Sequence, residues 1–208
     1  MSFYRRTVEV FGADSPRKSV LFDDGERHLC SIVDNLIIPE IQGERLQIVE
    51  VGCCRGVSAS ILARYGHVIS FDVKAWGDFE RVLEVGEAYA MEQGIHWHGV
   101  ERRIVADTAQ LKKEIASLPR FHLAHEDGSH RYADIEAAWP EISKCNRVIF
   151  HDYDGTQPDV TRFVNEQRKH GRVRRSGAFA YWHGYPKVEP RRAPAIEDAP
   201  AFHAERGV

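Results

Sequence analysis

A buried strand, a tight glycine turn and the start of a helix follow one another without a break in residues 46–63, LQIVEVGCCRGVSASILA. The β-branched run that ends at Val51 predicts a buried strand, and the apolar spacing after Gly56 predicts a helix. Gly52 and Gly56 allow backbone N–H groups at the helix N-terminus to approach a ligand closely. Cys54 stands where a dinucleotide-binding turn has glycine, so the turn fits a diphosphate poorly. A purely structural turn is the alternative.

Short β-branched runs alternate with helical patterns after this turn. Strands are predicted at 48–51, 67–71, 100–105, 121–124 and 147–150, and helices near Val57, Phe79, Ala109, Tyr132 and Val160. This alternation predicts a parallel sheet covered by helices on both faces. Two more runs, 172–175 and 178–182, flank a Ser-Gly turn and predict a closing antiparallel hairpin.

The segments on either side of this core have other patterns. Residues 25–38 have the spacing of an amphipathic helix that Pro39 should end, and residues 1–45 are expected to pack on the core or cap it. Residues 186–208 lack periodicity and are predicted to form a mobile tail. A length of 208 residues suits a single core, here residues 46–185.

Composition excludes several classes of protein. A mean hydropathy of −0.42 without a long apolar run argues against a membrane protein, and the lack of an apolar signal core favours the cytoplasm. A net charge of −3 gives no global attraction to nucleic acid, and the basic run 172–175 is interpreted as a solvated sheet edge. The adjacent Cys53 and Cys54 argue against a disulfide framework, and the cysteine spacing does not fit a zinc knuckle.

Carboxylates follow the second and third predicted strands, where ligands collect in open α/β sheets. Asp72 ends the second strand, and a lone carboxylate there can accept both hydroxyls of a ribose. Asp107 follows the third strand and could bind an adenine amino group. The alternative for Asp72 is a solvated loop aspartate or a helix cap, and for Asp107 capping of the next helix is equally well supported.

The fourth and fifth strands bring further polar side chains to the same edge. Asp127 and His130 follow the fourth strand, and His151 and Asp152 follow the fifth. Acids at adjacent strand ends repel unless a cation lies between them, and carboxylate, imidazole and water ligands suit Mg²⁺, Mn²⁺ or Ca²⁺. The alternative is an Asx-type turn around Gly155, with His130 packing locally.

Five motifs taken together are far more specific than any one of them: residues 50–59 (EVGCCRGVSA), 71–72 (FD), 106–108 (ADT), 126–132 (EDGSHRY) and 150–155 (FHDYDG). In this combination the chain resembles a class I S-adenosylmethionine-dependent methyltransferase. It is most similar to the small metal-assisted O-methyltransferases that act on sugars and macrolides. The resemblance implies a Rossmann-like three-layer α/β sandwich, with a mostly parallel seven-stranded sheet and a C-terminal antiparallel hairpin strand.

The resemblance implies a site for S-adenosylmethionine (SAM). In that group the glycine turn faces the methionine part of the cofactor, the acid after the second strand holds the ribose, and the acid after the third lies beside the adenine. The residues assigned to the cofactor are Glu50, Gly52, Cys53, Gly56, Asp72, Asp107 and Asp127. Packing of a small side chain around the turn is the alternative for Cys53.

The resemblance also implies metal ligands and a catalytic base. The expected ligands are Asp127, Asp152 and His151, which stands where the group often has a second acid. His130 or His151 would take the acceptor's proton, and His130 follows a flexible Gly-Ser. The predicted function is O-methylation of a small hydroxylated molecule with Mg²⁺, Mn²⁺ or Ca²⁺. The expected partner is that small molecule, not a membrane or nucleic acid. Assembly into a homo-oligomer is an open alternative.

Three alternative functions remain at this point. A methyltransferase without metal would rely on a histidine base alone. A metal-dependent hydrolase on a Rossmann-like fold would use the acid and histidine cluster on a bound water, but it leaves the glycine turn and Asp72 unexplained. A nucleotide-binding regulatory domain explains Gly52 and Asp72 but not the acidic cluster.

Overall fold

The computed structural model of the 208-residue chain describes residues 2–11, 23–41 and 45–185. The predicted tail, 186–208, lies outside the described residues. The strands are β1 (Leu46–Val51), β2 (Gly66–Asp72), β3 (Val100–Ile104), β4 (Leu123–Glu126), β5 (Arg147–Phe150), β6 (Gly171–Ser176) and β7 (Phe179–Gly184). The α-helices are α1 (Phe3–Phe11), α2 (Asp23–Ile32), α3 (Ile38–Ile41), α4 (Val57–Leu62), α5 (Phe79–Glu92), α6 (Thr108–Ser117), α7 (Tyr132–Ile142) and α8 (Pro158–Gln167).

The seven strands form one sheet in the order β3-β2-β1-β4-β5-β7-β6. Strands β1 to β5 pair in parallel, whereas β7 runs antiparallel to both β5 and β6. Helices cover both faces of the sheet over two separate apolar clusters. The prediction of a mostly parallel seven-stranded sheet with a C-terminal hairpin is therefore confirmed. The strand order reverses at β1, so a crevice is expected where β1 and β4 end.

Strand β4 begins two residues later than the sequence pattern predicts. His122 forms two hydrogen bonds with the backbone of Gln47. Its N–H donates to the Gln47 carbonyl over 2.8 Å, and its Nδ1 accepts from the Gln47 N–H over 3.0 Å. Regular pairing with β1 then starts at Ile48 opposite Leu123. The strand consequently extends through Glu126, and Asp127 is the first residue beyond it.

The prediction that Pro39 ends the first long helix is wrong. A π-helical segment, Val33–Ile37, follows α2, and helix α3 continues to Ile41. The Ile38 N–H donates to the Val33 carbonyl, five residues back. Pro39 thus lies in the first turn of α3. Proline is tolerated there because an N–H at this position would have no intrahelical acceptor.

The described part of residues 1–45 packs against the core, with Phe3, Leu29 and Ile37 completely buried in the cluster that covers β1 and β2. A buried ion pair between Arg64 and Glu26, 3.0 Å apart, anchors this segment, and Glu26 also accepts from the Tyr4 N–H. None of the helices described has the length and apolar character needed to cross a membrane.

Candidate active site

A pocket of about 280 Å³ opens at the carboxyl ends of β1, β2, β3 and β4. Its apolar wall consists of Val51, Phe71, Trp76, Val105, Leu111 and Ala138. Its polar groups come from the strand ends and the loops that follow: Asp72, Asp107, Thr108, Glu126, Asp127, Ser129 and Asp134. An apolar slot with a few convergent polar groups is typical of small-ligand sites.

Gly52 brings the ends of β1 and β4 into direct contact at the pocket wall. Its φ of +85° lies in the left-handed region, and a Cβ there would lie 2.2 Å from the Asp127 carbonyl oxygen and 2.4 Å from Gly128 Cα. Its N–H donates to the Phe71 carbonyl of β2 over 2.8 Å. Glycine is therefore required both by the backbone conformation and by the close approach of a second chain segment.

Glu50 is predicted to contact the cofactor, but its carboxylate is enclosed behind the pocket wall. The side chain is completely buried and accepts hydrogen bonds from the hydroxyls of Ser58 and Ser70. His125 Nδ1 lies 3.2 Å from the same carboxylate. Glu50 thus ties β1 to β2, β4 and α4, and it acts on the pocket by holding the glycine turn in place.

Cys53 and Gly56 also face the protein interior. The Cys53 side chain is buried, and burial raises the pKa of its thiol well above the ordinary value. Gly56 has a φ of +87° immediately before α4, and a Cβ there would lie 2.9 Å from the Phe79 ring. Gly56 shapes the turn through packing, and the Cys53 thiol in addition donates to Asp72 Oδ2 over 3.7 Å, a carboxylate of the pocket wall.

Asp72 and Asp107 both line the pocket with fixed carboxylates. Asp72 accepts from the Cys54 N–H over 2.7 Å and from the Lys74 N–H over 3.1 Å. Asp107 caps α6 by accepting from the Gln110 N–H over 2.8 Å. The two interpretations of Asp107 are compatible, because a capping carboxylate at this position also lies on the pocket wall.

Four side chains converge where β4 and β5 end, and we refer to Asp127, His130, His151 and Asp152 as the acid–histidine cluster. His151 Nδ1 lies 3.1 Å from Asp127 Oδ1 and 3.3 Å from Asp152 Oδ1. His130 Nε2 lies 3.1 Å from Asp152 Oδ2 and 3.5 Å from Asp127 Oδ1. Asp152 has a φ of +56°, a conformation that is uncommon for a non-glycine residue and concentrates at functional sites.

Mutual interactions set the protonation of the cluster. Burial alone would raise the pKa of Asp127, but its interactions with His130 and His151 outweigh this effect and hold the pKa well below its ordinary value. Asp127 and Asp152 raise the pKa of His130, and they raise that of His151 in spite of its burial. Burial raises the pKa of Asp152. The protonation of the two histidines is therefore coupled to that of the carboxylates.

Three members of the cluster have the arrangement of a metal site. Asp127, His151 and Asp152 each offer one ligand atom, and these atoms lie within 4.8 Å of one another. Among the described residues, the buried His130 Nε2 has carboxylate neighbours but no hydrogen bond of acceptable geometry. Two carboxylates and one imidazole fit a divalent cation, and the nitrogen ligand favours Mn²⁺ or a similar transition metal alongside Mg²⁺.

Comparison with solved structures identifies the fold. An O-methyltransferase from Bacillus cereus in complex with S-adenosylhomocysteine (SAH) is similar in structure, with a TM-score of 0.53 and 18% identity. The match covers 89% of this chain and 91% of that protein. A SAM-dependent O-methyltransferase from Thermotoga maritima matches 91% of this chain over 73% of its length, with a TM-score of 0.55 and 11% identity. The fold is that of SAM-dependent methyltransferases.

MycE, a methyltransferase of the mycinamycin biosynthetic pathway in complex with Mg and SAH, has the same fold. It matches 91% of this chain with a TM-score of 0.53 and 13% identity, and this chain spans 56% of its length. The chain spans about half the length of several structures that it matches. A scan against models of known protein families found no match. A search of curated protein sequences found none either.

Two pocket residues of this methyltransferase fold carry little signal in the sequence. Trp76 follows Asp72 in the loop after β2, and only its aromatic character beside a strand end could have identified it. Glu126 is buried at the end of β4, and burial raises its pKa to about 8. Its Oε1 accepts from the Gly128 N–H, whereas Oε2 has no hydrogen-bond partner within the described residues. In the sequence, Glu126 is marked only by its position directly before Asp127 at the end of an apolar run.

Proposed function

We propose that this chain transfers a methyl group from SAM to a hydroxyl oxygen of a small molecule. One observation carries the proposal: a single pocket extends from the Gly52 turn and Asp72 to Asp127, and Asp127 belongs to the acid–histidine cluster. A cofactor bound along this pocket would have its reactive end beside groups that can hold and deprotonate an acceptor.

The cofactor contacts that we propose follow from the pocket lining. Asp72 would accept the ribose hydroxyls, because its carboxylate lies on the wall between the glycine turn and Trp76. The apolar slot between Val105 and Leu111 suits an adenine ring, with Asp107 at its rim. The Gly52 turn would face the methionine part, since Gly52 lines the pocket at the point where the ends of β1 and β4 meet.

Methyl transfer from a sulfonium is a direct displacement that mainly requires alignment. The acceptor oxygen forms a bond to the methyl carbon, the carbon–sulfur bond breaks, and SAH leaves with the electron pair. His130 would take the proton of the acceptor hydroxyl at Nε2, the atom that faces the cluster. Asp127 and Asp152 would hold His130 in position and balance the charge that it gains.

A divalent cation is the second part of the proposal. Asp127, His151 and Asp152 would hold it. When bound, the cation would lower the pKa of an acceptor hydroxyl and orient it. The ring centroids of His151 and Phe179 lie 4.7 Å apart, and this contact would help to hold the imidazole in position as a ligand.

Isothermal titration calorimetry with SAH tests the cofactor part. We expect saturable binding to the full chain, and we expect SAM to support SAH release with hydroxylated sugars or phenols as acceptors. No heat of binding with folded protein would overturn the proposal and favour a hydrolase or another ligand.

Electron paramagnetic resonance of Mn²⁺ tests the cation without any need for turnover. We expect one bound Mn²⁺ per chain, lost in Asp152→Asn and retained in the control Asp24→Asn, which changes an exposed acid of α2. Absence of bound Mn²⁺, together with methyl transfer that survives exhaustive chelation, would remove the cation and leave His130 as an unaided base.

A further inference from the structure

A second cleft, of about 260 Å³, lies between the hairpin β6–β7 and the segment that contains Val33–Ile37 and α3. It is at the opposite end of the sheet from the active site, because His183 in its wall pairs with Arg147 at the amino end of β5. Its lining is Asn35, Leu36, Pro39, Glu40, Arg172, Arg174, Tyr181 and His183. We refer to it as the hairpin cleft.

Strand register places two arginines of β6 on the same face. Arg172 is opposite His183 and Arg174 is opposite Tyr181, so all four side chains share one face of the hairpin. The alternate residues Val173 and Trp182 pack in the cluster on the other face. The side chains of the basic run 172–175 thus lie on two faces of the hairpin. Its interpretation as a solvated sheet edge therefore holds for only part of the run.

The hairpin cleft has an excess of positive charge. Glu40 contributes the carboxylate in its wall. One carboxylate oxygen lies 3.1 Å from Arg147 Nε, and the other lies 3.7 Å from His183 Nδ1. Within the described part of the chain, neither Arg172 nor Arg174 forms an ion pair. Both side chains are exposed at the mouth of the cleft and lie two residues apart on one face of β6, so they can contact the same anion.

A buried hydroxyl points to a ligand independently of the arginines. Tyr181 lines the cleft and is 3% exposed, and its buried hydroxyl has no hydrogen-bond partner among the described residues. Burial raises the pKa of this hydroxyl well above its ordinary value, so it is a donor. An unpaired buried donor is unfavourable, and an acceptor oxygen in the cleft would satisfy it.

The opposite wall suits the organic part of such a ligand. Leu36 and Pro39 contribute apolar surface, and Asn35 and Leu36 belong to the π-helical segment. Single π-turns within helices occur frequently at functional sites. A volume of about 260 Å³ also exceeds what a bare phosphate would occupy.

We propose that the hairpin cleft binds a small molecule through an anionic group with several acceptor oxygens, a phosphate or a polycarboxylate. Arg172 and Arg174 hold its oxygens from one side, as guanidinium groups bind such anions bidentately. The Tyr181 hydroxyl donates to the same group from the floor. This site is independent of the methyltransferase proposal, because it shares no residue with the active site.

The test is a ¹H–¹⁵N correlation titration of the full chain with inorganic phosphate and, separately, citrate, against sodium chloride at equal ionic strength. We expect saturable shifts of the amides of 172–174 and 181–183 with at least one of the two anions. Whichever binds more tightly identifies the anionic group. Linear shifts without saturation for both anions would overturn the proposal.

Variants separate a built site from general attraction to positive charge. Arg174→Gln should weaken anion binding about 10- to 100-fold, because it removes a charged hydrogen-bond donor. Arg175→Gln removes the same charge from the other face of β6 and should leave the affinity within about twofold. Equal weakening by both substitutions would reduce the site to non-specific electrostatics and contradict the proposal.

Tyr181→Phe tests the buried donor. We expect it to weaken anion binding about 2- to 10-fold, the effect of one neutral hydrogen bond. Without anion, the melting temperature should stay unchanged or rise, since an unpaired hydroxyl is removed. Unchanged anion affinity in this variant would show that the hydroxyl does not meet the ligand and would overturn the role assigned to it.

Discussion

The two halves of the active-site pocket are built in different ways. In the proposed cofactor half, which consists of Gly52, Asp72 and Asp107, the N–H of Cys54 in the glycine turn orients Asp72, and the N–H of Gln110 in α6 orients Asp107. In the acid–histidine cluster the polar atoms instead contact one another across β4 and β5. The carboxylates of the first half are thus oriented by backbone groups, whereas those of the second are coupled to neighbouring histidines.

This difference leads us to expect separable effects on binding and on rate. A change in the cofactor half alters contacts that exist before and during the reaction, so it should mainly affect cofactor affinity. A change in the acid–histidine cluster alters proton transfer, so it should mainly affect turnover. The predictions below test this separation, and the largest expected effect comes first.

His130→Ala should lower methyl transfer about 10²- to 10⁴-fold, the usual loss when an acid–base group is removed. SAH affinity should change less than about threefold, because His130 does not line the cofactor pocket. Single-turnover kinetics and calorimetry on the same preparation measure both quantities. Wild-type turnover in this variant would move the base to His151.

Gly52→Ala should lower the free energy of unfolding by roughly 2–4 kcal/mol and disrupt both halves together. The added Cβ meets the backbone of Asp127 and also takes a left-handed φ, and the two costs add. Gly155→Ala is the matched control, with a φ of +95° and no atom within 4 Å of the added Cβ. It should cost only about 1–2 kcal/mol in urea unfolding. Equal losses of unfolding free energy in Gly52→Ala and Gly155→Ala would mean that the backbone at Asp127 shifts without cost to make room for the added Cβ.

Asp72→Ala should weaken SAH binding by about 1–3 kcal/mol, the effect of removing a charged acceptor. The maximal rate at saturating cofactor should fall much less, since Asp72 lies on the pocket wall away from the acid–histidine cluster. Asp24→Ala, which removes an exposed carboxylate of α2, is the control for net charge. Calorimetric affinities that do not differ between the two variants would contradict the ribose assignment.

The sequence predicts the cofactor half better than its surroundings for a physical reason. Gly52, Asp72 and Asp107 lie within local strand–turn–helix patterns, so a few neighbouring residues determine their placement. The enclosure of Glu50 instead depends on Ser70 and His125, which come from two other strands. Likewise, the start of β4 depends on how His122 pairs with Gln47, a contact between segments 75 residues apart.

The acid–histidine cluster is an intermediate case. The rule that parallel strands end at one edge predicts that Asp127 and Asp152 lie close together. It does not predict that His130 reaches back to Asp152, because that contact needs the loop geometry after β4 and the left-handed backbone of Asp152. Glu126 is harder still, since its burial follows from the two-residue shift of β4.

Glu126→Gln should flatten the pH dependence of stability. Glutamate ionises near pH 4.5 in an unfolded chain, whereas burial raises the folded-state pKa of Glu126 to about 8. Between these values the folded protein binds one more proton, so stability falls as pH rises, by at most about 1.4 kcal/mol per pH unit. The raised pKa values of His130 and His151 act in the same direction, and His130 interacts electrostatically with Glu126, so the comparison measures Glu126 together with its coupling to His130. Urea unfolding at several pH values from 5 to 8 with a chelator present should show a shallower slope for the variant, and parallel slopes would mean that Glu126 ionises normally in the folded protein.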